Sequence, residues 1–225
     1  MSGLFYEIRR SVLFSSIDYF YASIEQFDKP KWQNQPLVVV PSNTESAVVL
    51  SVSREAREYG INPGMRISEV KELYLPVVTA AARFKRYADV QSLINQKAET
   101  IFGKLRIFSL SEFAVDLGED VSLDVCQNLD IIFKDFLIDE FGDLFTNSIG
   151  IAANDYLAKL SAQLASPDGF LFLDEKPLET LYELSLAELP GIGTKIAERL
   201  GQFDIKTMAE LVRASPGDLK RAWGN

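Results

Sequence analysis

Chemistry in this chain has to run on carboxylates, hydroxyls and amines. Its 225 residues include no His and a single Cys, Cys126, which excludes a Cys/His zinc site, a Ser-His-Asp triad and an internal disulfide. Ser16-Ile17-Asp18-Tyr19-Phe20-Tyr21 follows a strand-like run and opens a helix, and Ser109–Asp116 places Glu112 and Asp116 in a second β-rich run. Leu189-Pro190-Gly191-Ile192-Gly193-Thr194-Lys195 is of another kind. Its glycines let the backbone turn tightly and approach a phosphate, the N–H groups at the following helix start can donate to it, and Lys195 adds a counter-charge. The chain as a whole is acidic, with 23 Lys+Arg against 32 Asp+Glu and a net charge of −9, which argues against a nucleic-acid partner on average. The C-terminal stretch reverses that balance, because Lys195, Arg199, Lys206, Arg213, Lys220 and Arg221 outnumber Glu198, Asp204, Glu210 and Asp218. Binding there would be to the backbone and independent of base sequence.

The elements that must carry these residues are legible as patterns. Short apolar or β-branched runs at Val12-Leu13-Phe14, 37–40, 47–52, 76–80, 107–117, 148–152 and 170–173 predict strands. Tyr87, Val90, Leu93, Ile94, Ala98, Ile101 and Phe102 fall at helical spacing, as do Leu129, Ile132, Phe133, Phe136 and Leu137, and predict two amphipathic helices on a sheet. Strand pairs come early and helix-strand alternation later, which fits an α+β fold better than a doubly wound sheet. After the charged junction Asp174-Glu175-Lys176-Pro177, the segments 177–184, 194–201, 207–214 and 216–223 predict a small all-helical module. No stretch approaches the ~20 apolar residues of a membrane helix, and residues 1–18 lack a signal peptide's separate apolar core and cleavage site, so the expectation is a cytoplasmic protein without a membrane partner.

Taken in order, these segments resemble the Y-family translesion DNA polymerases of the DinB/UmuC group. The resemblance is carried by Ser16–Glu25, Pro36–Val40, Ser53–Ile61 with Pro63-Gly64-Met65, Phe84–Tyr87, Ser109–Asp116, Ser148–Lys159, Ser166-Pro167-Asp168-Gly169 and the Leu189–Lys195 hairpin. It implies a right-hand-like core: a palm with a mixed or antiparallel sheet from residues 1–28 and 78–173, small fingers from 29–77, and a helix-hairpin-helix thumb from 174–225. It also implies that the C-terminal little-finger domain is absent and that DNA binding is weak without it. Gly191, Gly193, Thr194 and Lys195 would contact the DNA backbone. Tyr21 sits at the family's steric-gate position, Arg57 and Lys159 at triphosphate-contacting positions, and Arg54 replaces a usual Tyr beside them.

The departures from the family pattern bear on catalysis. In D-x-D-x-F-[FY]-A the first, metal-binding Asp falls on Ser16 and the second on Asp18. In S-[IV]-D-E-A-[YF]-L-D the metal-binding Asp falls on Ser111, leaving Glu112 as the surviving catalytic acid and a metal ligand at most. Two divalent ions about 4 Å apart are tolerated only because carboxylates and substrate phosphates surround them. Losing several kcal/mol of that stabilisation costs on the order of 10³-fold in rate, at tenfold per ~1.4 kcal/mol. Asp18 shares the strand face of Ser16 if the strand continues, but displaced by ~6–7 Å, and Asp116 lies too far along its strand. Asp155 and Ser166 stand where the family usually has Lys and lower the positive charge on the DNA side.

The resemblance therefore implies a Y-family-like protein of DNA repair or translesion synthesis that has lost nucleotidyl transfer, uses no cofactor, and joins the nucleoid on damage. It would act as a DNA-binding factor or recruit another DNA polymerase or the sliding clamp, similar in kind to the mutasome component ImuB and to inactive archaeal DinB-like proteins. Two alternatives stand beside it: a slow polymerase using Glu112 with Asp18 or Asp116 and Mg²⁺ or Mn²⁺, and a DNA-independent interaction module suggested by the acidic charge.

Overall fold

A computed structural model of the chain describes residues 11–118, 121–173 and 181–223. Its centre is β1 (Ser11–Ile17), whose apolar side chains alternate between two covered faces. Val12 and Phe14 pack against one layer while Leu13 and Ile17 enter the larger core on the other. A strand buried on both sides must be interior, and β1 lies third in a five-stranded sheet. It is antiparallel to β6 (Glu112–Gly118) and to β7 (Asn147–Ala152). The edges are β5 (Arg106–Ile107), antiparallel to β6, and β8 (Phe170–Phe172), parallel to β7.

The larger core lies under two helices of 19 residues each, α4 (Phe84–Phe102) and α5 (Leu123–Phe141). Tyr87, Val90, Ile94 and Ala98 of α4 are buried at helical spacing, as are Phe133, Leu137 and Phe141 of α5. Phe102, Phe113 and Phe133 meet with centroids 5.2–5.8 Å apart, and full burial of each such ring contributes about 1.5–3 kcal/mol. The opposite face is covered by α6 (Asp155–Ala165). Gly150 permits that approach: a Cβ there would lie 2.1 Å from the Ala162 nitrogen, so any side chain would force helix and sheet apart.

Between β1 and α4 the chain makes α1 (Phe20–Asp28) and a second sheet of order β3-β2-β4, formed by β2 (Leu37–Val40), β3 (Ser51–Val52) and β4 (Val78–Ala81). This sheet carries its own core with Ala56 of α2 (Arg54–Glu58) and Ile67 and Val70 of α3 (Ile67–Glu72). The α2 start is fixed by buried Ser53, whose Oγ accepts from Ala56 N and Leu37 N and donates to Gln35 O.

The last described stretch is helical, with α7 (Thr194–Gly201), α8 (Met208–Arg213) and α9 (Pro216–Trp223). Its core of Leu181, Leu186, Leu189, Ile192, Leu200 and Ile205 includes Leu160 of α6, which docks the helical stretch on the main sheet.

The α+β architecture matches the expectation, with local differences. Residues 47–50 were expected in a strand but pair irregularly: Val49 N donates to Met65 O and Leu50 N to Val39 O, and only Ser51–Val52 form ladder. The expected single run 107–117 is a hairpin, because Phe108 N and Ser109 N both turn to Glu112 O. Half of the expected helix 177–184, residues 177–180, lies outside the described residues.

Candidate active-site cleft

The two sheets enclose an open cleft of about 520 Å³, lined among others by Tyr19, Tyr21, Arg57, Ser111, Glu112 and Ser166. Strand register assembles its floor. Ser16 lies opposite Glu112 in the β1–β6 ladder, and Ile17 N donates to Ser111 O at 2.9 Å. The three positions singled out by sequence, Ser16, Ser111 and Glu112, are thus neighbours at one end of the main sheet.

Glu112 supplies the one carboxylate among them, and it is engaged. Lys159 Nζ lies 2.8 Å from its Oε1 and 2.9 Å from its Oε2, and Ser109 Oγ donates to Oε2 at 3.2 Å. Lys159 is aimed by α6, whose cap Asn154 accepts from Leu157 N and whose buried Ala158, Ser161 and Ala162 fix the rotation of the helix. Among the described residues, no group of three His, Cys, Asp or Glu side chains is placed to hold a metal ion. Two divalent ions need several carboxylate oxygens. Two serine hydroxyls and one ion-paired glutamate do not fit them.

The acids considered as replacements are occupied elsewhere. β1 ends at Ile17 and Tyr19 turns the chain with φ 54°, so the strand does not continue through Asp18. The Asp18 carboxylate is buried and accepts from Thr146 Oγ1, Ser148 Oγ, Ser166 Oγ and Asp168 N at 2.6–3.0 Å. Asp116 accepts from Arg106 Nη2 at 3.3 Å, and Arg106 also forms a two-pronged pair with Asp155 at 2.6 and 2.7 Å.

The structure separates the expected basic set. Arg57 lines the cleft, and its Nη1 donates to the Asn62 side chain. Lys159 approaches the floor through Glu112. Arg54 instead lines two smaller cavities, one with Lys134, Asp143 and Asp168 and one with Gln26 and Glu55. Tyr19 lies between, lining both the main cleft and the second of these cavities.

Tyr21 is held rigidly, stacked on Tyr87 at 4.5 Å and 13° with Phe84 edge-on at 6.4 Å. Burial pushes its phenol above the ordinary range, and burial followed by the negative charge of Asp18 does the same for Tyr19, against the opposing pull of Arg54 and Arg57. Both rings are therefore neutral walls at physiological pH. Behind them lies a node that sequence reasoning missed. Glu25, fully buried, accepts from Arg83 Nε at 2.7 Å and Tyr87 Oη at 2.9 Å, and Asp28 accepts from Arg83 and Arg86 at 2.7–3.0 Å. The node ties α1 to α4 and so sets the Tyr21–Tyr87 stack. The only sequence signal for it was acids on α1 and arginines at the start of α4, which by themselves read as surface charge.

The Leu189–Lys195 segment lies away from this cleft, in the C-terminal helical stretch. Gly191 adopts φ 84° and Gly193 caps α7 without a side-chain bond, and a Cβ at either would meet nothing within 4 Å. Thr194 and Lys195 begin α7, with Lys195 exposed. The first N–H groups of a helix have no intrahelical partner.

Comparison with known proteins agrees with this geometry. Residues 16–163 match the model of the impB/mucB/samB family. DNA polymerase IV of Saccharolobus solfataricus is 29% identical over 214 residues, which cover 93% of this chain and 60% of that protein. DNA polymerase IV 2 of Mesorhizobium japonicum is 28% identical over 220 residues, 97% of this chain and 51% of that protein. Among solved structures, the insertion ternary complex of Dbh DNA polymerase superposes with a TM-score of 0.79 at 26% identity, covering 96% of this chain and 64% of that one. The crystal structure of DinB from Sulfolobus solfataricus gives 0.76 at 25% identity, with coverages of 96% and 63%. The chain thus spans about half to two thirds of the length of the relatives it matches. No helix among the described residues is long and apolar enough to cross a membrane. The chain belongs to the impB/mucB/samB family, the Y-family of DinB-like DNA polymerases.

Proposed function

We propose that this protein is a Y-family polymerase homologue of DNA repair and translesion synthesis whose cleft no longer transfers nucleotides, and which serves as a DNA-binding or polymerase-recruiting factor. In this reading residues 1–28 and 78–173 are the palm, 29–77 the fingers and 174–225 the thumb. The observation that carries it is the strand end at the cleft: Ser111 and Glu112 line it, Ser16 lies opposite Glu112 in the ladder, and Lys159 is bonded to both carboxylate oxygens. Each serine is neutral and offers one weak ligand where the fold's chemistry calls for an anionic one. The repulsion between two divalent ions would go uncompensated, and on the order of 10³-fold or more in rate is lost.

The rest of the cleft is kept in working order, which supports retained binding rather than general decay. Tyr21 is buttressed by Tyr87, and Arg57 is presented to the cavity. With Lys159 they are the residues we assign to nucleotide phosphate and sugar; Arg54, expected beside them, lines other cavities. DNA would be held at its backbone by Gly191, Gly193, Thr194 and Lys195, as in the hairpin reading, and would bind weakly through this segment alone. Another DNA polymerase or the sliding clamp is the partner class the accessory role requires.

The test is primer extension with Mg²⁺ and with Mn²⁺ by the unaltered protein and by Ser16→Asp/Ser111→Asp, beside DNA binding followed against salt. An accessory factor gives no extension but salt-dependent binding. Robust extension by the unaltered protein contradicts the loss of chemistry, and absence of DNA binding would favour an interaction module.

A further inference from the structure

The last acid on the cleft floor is already neutralised by a cation that belongs to the chain. Lys159 Nζ straddles Glu112 at 2.8 and 2.9 Å, Ser109 Oγ occupies a further lone pair of Oε2, and the side chains are only 34% and 21% exposed. A charge-assisted contact of this kind, partly withdrawn from water, is stronger than an ordinary surface pair. The disagreement between the fold's metal requirement and these residues therefore has a positive content. Where the family chemistry calls for divalent ions to balance acids, this chain balances its single acid with an ammonium.

We infer that Glu112 competes with the ligand of the cleft for Lys159 and restrains anion binding, so that a nucleotide phosphate must draw Lys159 off Glu112 in order to bind. This rests on the reading of the cleft as a nucleotide site. The inference reverses the sign expected of Glu112. An acid that carries a metal strengthens binding of a metal-bound triphosphate, so removing it weakens the complex. An acid that occupies Lys159 both withholds a cation and repels the phosphates, so removing it strengthens the complex and does so without any metal. Arg57 is not restrained in the same way, because its bonded partner among the described residues is the neutral Asn62 side chain. Glu112→Gln is the discriminating change, since it keeps the size of the side chain and an oxygen for Ser109 while deleting the charge.

The experiment is calorimetric titration of the full chain with dATP in EDTA, for the unaltered protein, Glu112→Gln and Lys159→Met. Glu112→Gln should bind about tenfold more tightly than the unaltered protein, equivalent to about 1.4 kcal/mol, and Lys159→Met less tightly than either. If the unaltered protein binds and Glu112→Gln binds equally or more weakly, the competition is overturned while the nucleotide reading stands. If none of the three binds, the nucleotide reading falls and the competition with it. A second readout needs no nucleotide: trace acylation of lysines by acetic anhydride, followed by mass spectrometry. Lys159 should react faster in Glu112→Gln, because the carboxylate no longer holds and covers its nitrogen. An unchanged rate overturns the inference whatever dATP does.

Discussion

Two regions of this molecule handle negative charge in opposite ways. On α1, Glu25 and Asp28 are both present, and their carboxylates are bonded by Arg83, Arg86 and Tyr87 so that two helices are locked together. At the floor of the cleft, a few residues away along β1, two of the three expected acids are serines and the third is paired with Lys159. The first cluster works through geometry and burial. The second, by the family pattern, would work by giving divalent ions anionic ligands. Charge is present and paired where it holds the scaffold, and at the cleft the two positions that the family pattern gives to acids are neutral.

The contrast can be broken most severely at the buried cluster. Glu25→Ala strips a fully buried carboxylate from Arg83 and Tyr87; the expected cost is about 3–5 kcal/mol, the range for removing one partner of a buried charged network, read as a large fall in denaturant midpoint. Asp18→Ala leaves three hydroxyls and a backbone N–H without their acceptor, and should cost about 2–3 kcal/mol. Glu112→Gln sharpens the comparison from the other side: at a partly exposed ion pair the stability change should stay within about 1 kcal/mol. The smallest effect concerns pH. The bond from Arg86, with that from Arg83, holds the Asp28 carboxyl below its ordinary range despite some burial. A depressed folded-state value means that the pair stabilises the fold fully above the ordinary carboxylate range, near pH ~4. The contribution drains away as pH falls from there through the depressed value. Acid titration of the unaltered protein should therefore lose more stability below pH ~4 than Asp28→Asn does.

Much of this was legible in the sequence, and the reason is local. The runs at 37–40 and 148–152 and the helical spacing from Tyr87 to Phe102 reflect side chains facing one core, a property of neighbours along the chain. That Ser16 and Ser111 fall where the family pattern expects metal-binding acids was equally plain, because it depends on residue type at a matched position. What could not be read were contacts across the chain. Asp18 is satisfied by residues 128–150 positions away, Glu112 meets Lys159 from 47 positions away, and Arg106 meets Asp155 from 49. Each looked like an isolated charge until strand register and helix rotation brought the partners together. Arg54 was grouped with Arg57 and Lys159 through its position in the family pattern. Three residues along a short helix are enough to send it to a different cavity.

The central claim is that an intact polymerase scaffold has been disarmed at two positions. It is tested most directly by primer extension with the full-length protein, in Mg²⁺ and in Mn²⁺, beside Ser16→Asp/Ser111→Asp. The account predicts no extension by the unaltered protein and extension raised on the order of 10³-fold or more when the two acids are restored. Extension by the unaltered protein at a rate the double variant does not improve would contradict it, and would mean that the floor of this cleft assembles its metal site from other residues.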